Sequence, residues 1–117
     1  MVYEFREWRQ GDWSPRNFQG TWVLIYDGEQ VGAMAGAIFD VQGIAVKPKG
    51  QKHGTEFVRQ IIDKAREIEG KYKFGTKWIK FEGVIGDSVK DRQALEHILR
   101  DKFGFEQVDK ETWRLKL

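Results

Sequence analysis

The segment Thr21-Trp22-Val23-Leu24-Ile25-Tyr26 is an unbroken run of β-branched, aromatic and aliphatic residues, and it leads straight into Asp27-Gly28. An Asp-Gly pair between two apolar runs is the strongest short-range sign of a tight β-hairpin, because both central turn residues must accept positive φ. Gln30 to Phe39 is then the returning strand. Its small residues Gly32, Ala33, Ala35, Gly36 and Ala37 leave room for another element to pack closely against it. The fold must therefore contain an antiparallel pair with one thin strand.

The other elements are read outward from this hairpin. Residues 2–9 have β-propensity through Val2, Tyr3, Phe5 and Trp8, and Val41 to Val46 reads as a further strand. Residues 55–69 place Phe57, Val58, Ile61, Ile62, Ala65 and Ile68 on one helical stripe, with Thr55 as the expected N-cap and Gly70 as the expected stop. Trp78 to Ile85 reads as a strand. Ser88-Val89-Lys90-Asp91 has capping-box form and opens a second helix over 88–103, expected to bury Ala94, Leu95, Ile98 and Leu99 before Gly104. Phe105–Val108 and Thr112–Leu117, joined at Asp109-Lys110, form a closing hairpin with Trp113, Leu115 and Leu117 on one face. The order β, β-hairpin, β, α, β, α, β-hairpin predicts an α/β (α+β) fold: a mixed, mostly antiparallel sheet with two main helices packed on it.

Composition narrows the function classes. A chain of 117 residues suits a single domain, residues 1–117, and can bury enough surface to fold without a metal or disulfide. It has no cysteine and only two histidines, His53 and His97, so disulfides, zinc-thiolate sites and a cysteine nucleophile are excluded and no metal site is expected. A net charge of +2 is too small for a general nucleic-acid footprint. The sequence lacks a membrane-span-length apolar run and a secretory apolar stretch after Met1, so a cytoplasmic domain without membrane association is expected.

Charge is unevenly placed. No acid lies between Asp40 and Glu56, and Lys47, Lys49 and Lys52 fall inside that gap. The gap coincides with a strand–loop–helix junction, Ile44-Ala45-Val46 followed by Lys47-Pro48-Lys49-Gly50-Gln51-Lys52-His53-Gly54-Thr55. A helix start offers unpaired N–H groups and the positive end of the dipole, glycines allow close approach, and lysines with a histidine add positive charge. These are the ingredients of a phosphate site, although a solvated basic linker would carry the same residues.

Val46-Lys47-Pro48, Gln51 and Gly54, followed by an amphipathic helix, resemble the acyl-CoA-binding motif of the GNAT N-acetyltransferase superfamily. The hairpin round Gly28 and the late segment Leu99-Arg100-Asp101-Lys102-Phe103-Gly104-Phe105 resemble further motifs of that family, in the same order. The resemblance implies a splayed, acyl-CoA N-acyltransferase-like sheet. Acetyl-CoA, as co-substrate, would lie where two parallel strands part, its pantetheine on the backbone of Ile44, Ala45 and Val46. Its pyrophosphate would sit on the N–H groups from Gln51 through Lys52, His53 and Gly54 to Thr55, and Gln93 would contribute where an asparagine is usual. Glu82, on the 78–85 strand, stands where some members place a base or a water-holding carboxylate. The acceptor would be an amine on a small molecule or a protein.

The chain departs from the pattern in several places. Glu56 stands where Gly or Ala is preferred, beside the expected pyrophosphate unless it points away. Arg100 replaces the tyrosine that commonly protonates the leaving thiolate, Glu96 replaces a small alanine, and the N-terminal region is short. Tyr3, Tyr26 and Tyr72 are possible replacement acids. Arg100 and His97 are expected at the surface, and Glu82 read from its strand alone is a sheet-face carboxylate paired with Lys80 or a neighbour. Trp8, Trp13 and Trp22 could line an acceptor cleft or simply pack.

Two rivals accompany the transferase. One is a catalytically degenerate protein-interaction module. The other is a nucleic-acid-binding domain using Lys71-Tyr72-Lys73-Phe74-Gly75-Thr76-Lys77-Trp78-Ile79-Lys80-Phe81, where lysines interleave with aromatics. That second rival is disfavoured by the expectation that these rings turn into the core while the lysines are solvated.

Overall fold

The computed structural model describes residues 2–48, 52–82 and 89–117, and the side chains of all of these except Val89 and Lys90. Seven strands and two helices follow in the expected order: β1 (Tyr3–Glu7), β2 (Trp22–Tyr26), β3 (Glu29–Ala37), β4 (Asp40–Val46), α1 (His53–Tyr72), β5 (Trp78–Glu82), α2 (Val89–His97), β6 (Glu106–Asp109) and β7 (Thr112–Lys116). The strands form one sheet in the order β1-β2-β3-β4-β5-β7-β6. Its pairs are antiparallel except β4 with β5. The fold is thus α+β, with a mostly antiparallel sheet of seven strands.

The β2–β3 hairpin closes as its sequence demands, with Asp27 at φ 54° and Gly28 at φ 87°. The thin face of β3 receives α1. A Cβ on Gly32 would stand 2.7 Å from Phe57 Cδ2, so only glycine lets the Phe57 ring lie on the strand. The main core joins Leu24, Met34, Val41, Ile44, Ile79, Phe81 and Trp113 of the sheet to Phe57, Val58 and Ile61 of α1 and to Leu95 and Leu99 beyond β5. Trp113, Leu115 and Leu117 all join it, as their alternation predicts.

A smaller cluster of Val23, Ile25 and Ala33 lies under Trp8 and Trp13. The N-terminal loop is tied there reciprocally: the Trp13 N–H donates to Gln30 Oε1 at 2.9 Å, and Gln30 Nε2 donates to the Trp13 carbonyl at 2.8 Å. Trp22 stacks on Phe5 at 5.1 Å. These three tryptophans therefore pack within the fold.

Both helices differ in extent from expectation. α1 begins at Lys52, which takes a left-handed φ of 65° without a side-chain cap, so Thr55 is inside the helix rather than capping it. It runs through Gly70 and ends at Lys73, whose N–H donates to the Glu69 carbonyl. The Glu69 carboxylate accepts the N–H groups of Gly75 at 2.8 Å and Thr76 at 3.1 Å, so the stop is fixed by the turn beyond the glycine. α2 gives way to a π-helical turn at Ile98–Lys102, which brings Leu99 into the core. Ala94, expected inside, is exposed on the outer side of α2. Ser88 of the capping box and residues 83–85 of the expected strand lie outside the described residues. Among the described residues, no helix is long and apolar enough to cross a membrane.

Candidate functional site

The site grows from one irregularity in β4. Ala35 pairs with Gly43 while Gly36 pairs with Val41, so Gln42 is an extra residue on β4, a bulge. A bulge bends its strand and increases the local twist. The parallel register with β5 covers Asp40 opposite Lys80 and Val41 opposite Phe81. β4 then runs on to Val46 with its other edge paired to β3: Ile44 to Met34, Ala45 to Ala33 and Val46 to Gly32. Among the described residues, no strand pairs with Ile44, Ala45 and Val46 on the β5 side. Among the described residues the pairing of β4 with β5 ends before the bulge, and β4 leads on towards the start of α1.

At that start, the first helical bond runs from the Glu56 N–H to the Lys52 carbonyl at 3.2 Å. The N–H groups of His53, Gly54 and Thr55 precede it, and no side chain caps the helix. Lys52 is exposed beside them. Gly54 lies against the π-helical turn, where a Cβ would stand 3.2 Å from Ile98 Cδ1. Lys47 turns elsewhere, its Nζ 5.0 Å from the Trp13 ring centroid. Gln51 lies outside the described residues.

His53 departs from expectation. Its ring, read as one of the positive groups of a phosphate loop, is instead inside the fold, with only 3% of the residue exposed. Its Nδ1 is hydrogen-bonded to the Tyr3 hydroxyl at 2.8 Å, and its ring packs against Tyr3 and Tyr26. The sequence held the reason: His53 stands four residues before Phe57 and eight before Ile61, on the stripe that enters the core. Only its backbone N–H belongs to the helix start. Burial, reinforced by Tyr26 and Glu56, raises the Tyr3 hydroxyl above its ordinary range, which makes it a weaker acid.

Glu56 is turned down the helix. Its carboxylate meets Arg59 Nη2 at 2.7 Å and accepts from Gln60 Nε2 at 2.7 Å, so its charge is compensated one turn beyond the N–H groups. Gln93 is exposed on α2 and, among the described residues, makes no hydrogen bond to the other candidates. Arg100 is exposed and donates through Nε to Asp101 Oδ1 at 3.1 Å, and His97 meets the same carboxylate at the surface. Both match expectation.

Glu82 follows Phe81, the last residue paired with β4 among the described residues of β5, so it stands at the end of that described pairing. It alternates with buried Phe81, as Asp40 does with buried Val41, so both acids lie on the face opposite the main core. Phe18 shares that face, close over Gly43. Of the neighbours that could pair with Glu82, Asp40 dominates and Lys80 is the weaker influence. A hydrogen bond with Asp40 and the repulsion of its charge push the Glu82 carboxyl above the usual carboxylate range; burial adds to this and Lys80 opposes it. Asp40 Oδ1 is buried and receives no bond from any N–H or O–H donor. Nothing local in the sequence marks Asp40, because the pair is assembled across a parallel strand junction. Among the described residues, no group of three or more His, Asp or Glu is placed to hold a metal ion.

No family model, no curated protein and no solved structure matches this chain.

Proposed function

We propose that this chain is a small acyltransferase that moves an acetyl group from acetyl-CoA directly to an amine. The observation that carries the reading is the course of β4. Beyond the Gln42 bulge, Ile44, Ala45 and Val46 have no strand partner on the β5 side among the described residues, and they lead to the start of α1, which has no side-chain cap there. An unpaired strand edge suits the amides of a pantetheine arm, and a helix start with free N–H groups beside Lys52 suits a pyrophosphate. The compensation of Glu56 by Arg59 and Gln60 removes the main electrostatic objection to an anion there.

The thioester supplies an activated acyl carbon: the neutral amine forms the C–N bond and releases a proton to solvent, the C–S bond breaks, and CoA leaves as the thiolate, which solvent protonates. Attack requires a neutral amine. Glu82 is the base in this reading, because a carboxyl pushed upward by its neighbour accepts an ammonium proton more readily than an ordinary one. Asp40 positions it. The face bearing Glu82, Asp40 and Phe18 is then the acceptor side. Thiolate protonation has no residue at the usual place, since Arg100 is exposed and cannot usefully donate a proton. Transfer therefore rests on proximity and on Glu82, and turnover is slow.

Calorimetric titration with acetyl-CoA, followed by an amine-acceptor screen, tests the reading. Saturable binding that weakens with salt is expected. Glu82→Gln lowers kcat by about 10²-fold or more while leaving acetyl-CoA affinity unchanged. Absence of binding refutes the transferase. Tight binding without turnover above buffer transfers the conclusion to a non-catalytic CoA-binding module.

A further inference from the structure

The segment between Glu69 and Glu82 contains no acid, and its rings do not all turn inward. Phe81 is fully buried, as the strand alternation requires, but Tyr72 is 56% exposed and Phe74 is 67% exposed. These two rings stack on each other, with centroids 5.5 Å apart and planes within 14°. Lys71 Nζ lies 5.2 Å from the Tyr72 ring centroid. The result is a ladder of cation, ring and ring that ends on Phe74.

The charges round the ladder are one-sided. Glu69, the acid at its base, is occupied by the N–H groups of Gly75 and Thr76. Glu67, one helical turn before Lys71, is paired with Lys64 at 2.9 Å. Lys73 and Lys77 are exposed and make no ion pair among the described residues. The Lys77 carbonyl accepts the Leu117 N–H at 2.9 Å, which fixes the far end of the loop to the last strand. Lys116, exposed opposite Trp78, continues the positive surface.

We propose that this ladder and its lysines bind single-stranded nucleic acid, with a base stacked on Phe74 and phosphates held by Lys73 and Lys77. Two coplanar exposed rings already form the beginning of a stack, and any nucleobase can continue it. The adjacent unpaired cations supply the charge that a phosphate backbone requires. An acidic peptide would use the lysines and leave the stack without a purpose. A lipid surface would favour rings separated into the apolar layer over rings covering each other. The stacked base commits the site to a single strand, since bases in a duplex are already covered on both faces.

The test is fluorescence anisotropy of a labelled oligothymidylate of about 15 nucleotides, titrated with the full chain at roughly 50 and 200 mM salt. Saturable binding that weakens at the higher salt is expected. Phe74→Ala weakens it by about tenfold, and Phe74→Leu, which keeps apolar bulk without the ring, weakens it equally. Lys73→Gln with Lys77→Gln lowers the slope of log affinity against log salt by about 1.4. All of these positions are exposed, and an unchanged melting temperature verifies that each variant folds. Four results overturn the proposal: no oligonucleotide binding at the lower salt; binding unaffected by Phe74→Leu; duplex of equal length binding as tightly as the single strand; or association with phosphatidylserine vesicles in place of the oligonucleotide. Because Phe74 lies apart from the α1 start, Phe74→Ala retains acetyl-CoA binding, so this site and the transferase reading fail independently.

Discussion

Gly32→Ala tests the contact that seats α1 on the sheet. The added Cβ would stand 2.7 Å from Phe57 Cδ2, 2.8 Å from Phe57 Cε2 and 3.2 Å from Leu24 Cβ. Carbon atoms in comfortable contact are about 3.5–4.0 Å apart, so the ring must withdraw by roughly 1 Å. It has little room to do so: Phe57 is fully buried and meets Phe5 edge-on at 6.0 Å. Overpacking of this kind costs about 1–3 kcal/mol. Alanine restricts the unfolded chain and returns about 0.4–1 kcal/mol, which leaves a net loss of about 1–2 kcal/mol. For a domain of this size, that lowers the melting temperature by roughly 4–10 °C. Circular dichroism melts and urea titration measure it. Phe57 is one turn beyond the N–H groups of His53, Gly54 and Thr55, so displacement of α1 also weakens acetyl-CoA binding under the proposed function. Phe57→Leu in the Gly32→Ala background recovers part of the lost stability, because it removes ring atoms from the clash. A Gly32→Ala protein that melts at or above the parent temperature refutes the reasoning, since the strand would then have room for a side chain.

Three further outcomes follow from particular side chains. Glu82 has a raised folded-state pKa, so its favourable contribution is complete below the unfolded value near 4.5 and is lost as pH rises through the folded value. Glu82→Gln therefore gains stability relative to the parent as pH rises above the unfolded value in urea titrations, and a relative loss there contradicts the Asp40 repulsion. Asp12 accepts from Arg6 at 2.7 and 3.0 Å, and this hydrogen bonding depresses its carboxyl. Its contribution is present above the unfolded value and is lost as pH falls through the folded one. Asp12→Asn thus costs about 2 kcal/mol at neutral pH and flattens the acid limb of the stability profile. Arg100→Ala changes stability by no more than about 0.5 kcal/mol and leaves turnover intact; a large loss of either would assign the exposed guanidinium a role that its contact with Asp101 does not provide.

The sequence by itself determined the elements and their order. Asp27-Gly28 imposes its turn because positive φ at both positions is a local demand. The stripe from Phe57 to Ala65 imposes a buried helix face because its period is a property of neighbours along the chain. Gly32 was legible too, as one of the small residues that let a helix approach. Tertiary structure decided what depends on residues far apart in sequence. The insertion of β7 between β5 and β6, the Gln42 bulge and the parallel register of β4 with β5 are choices of strand edge and register. The Asp40–Glu82 pair exists only because a parallel crossover brings two strand ends together. The burial of His53 was available from its spacing to Phe57, but its bond to Tyr3 spans nearly half the chain. The exposure of Tyr72 and Phe74 could not be read from composition, because aromatic residues serve a core and a surface equally well. Their outward placement followed from α1 running past Gly70 to a turn closed by Glu69, an end set by hydrogen bonds beyond the helix itself.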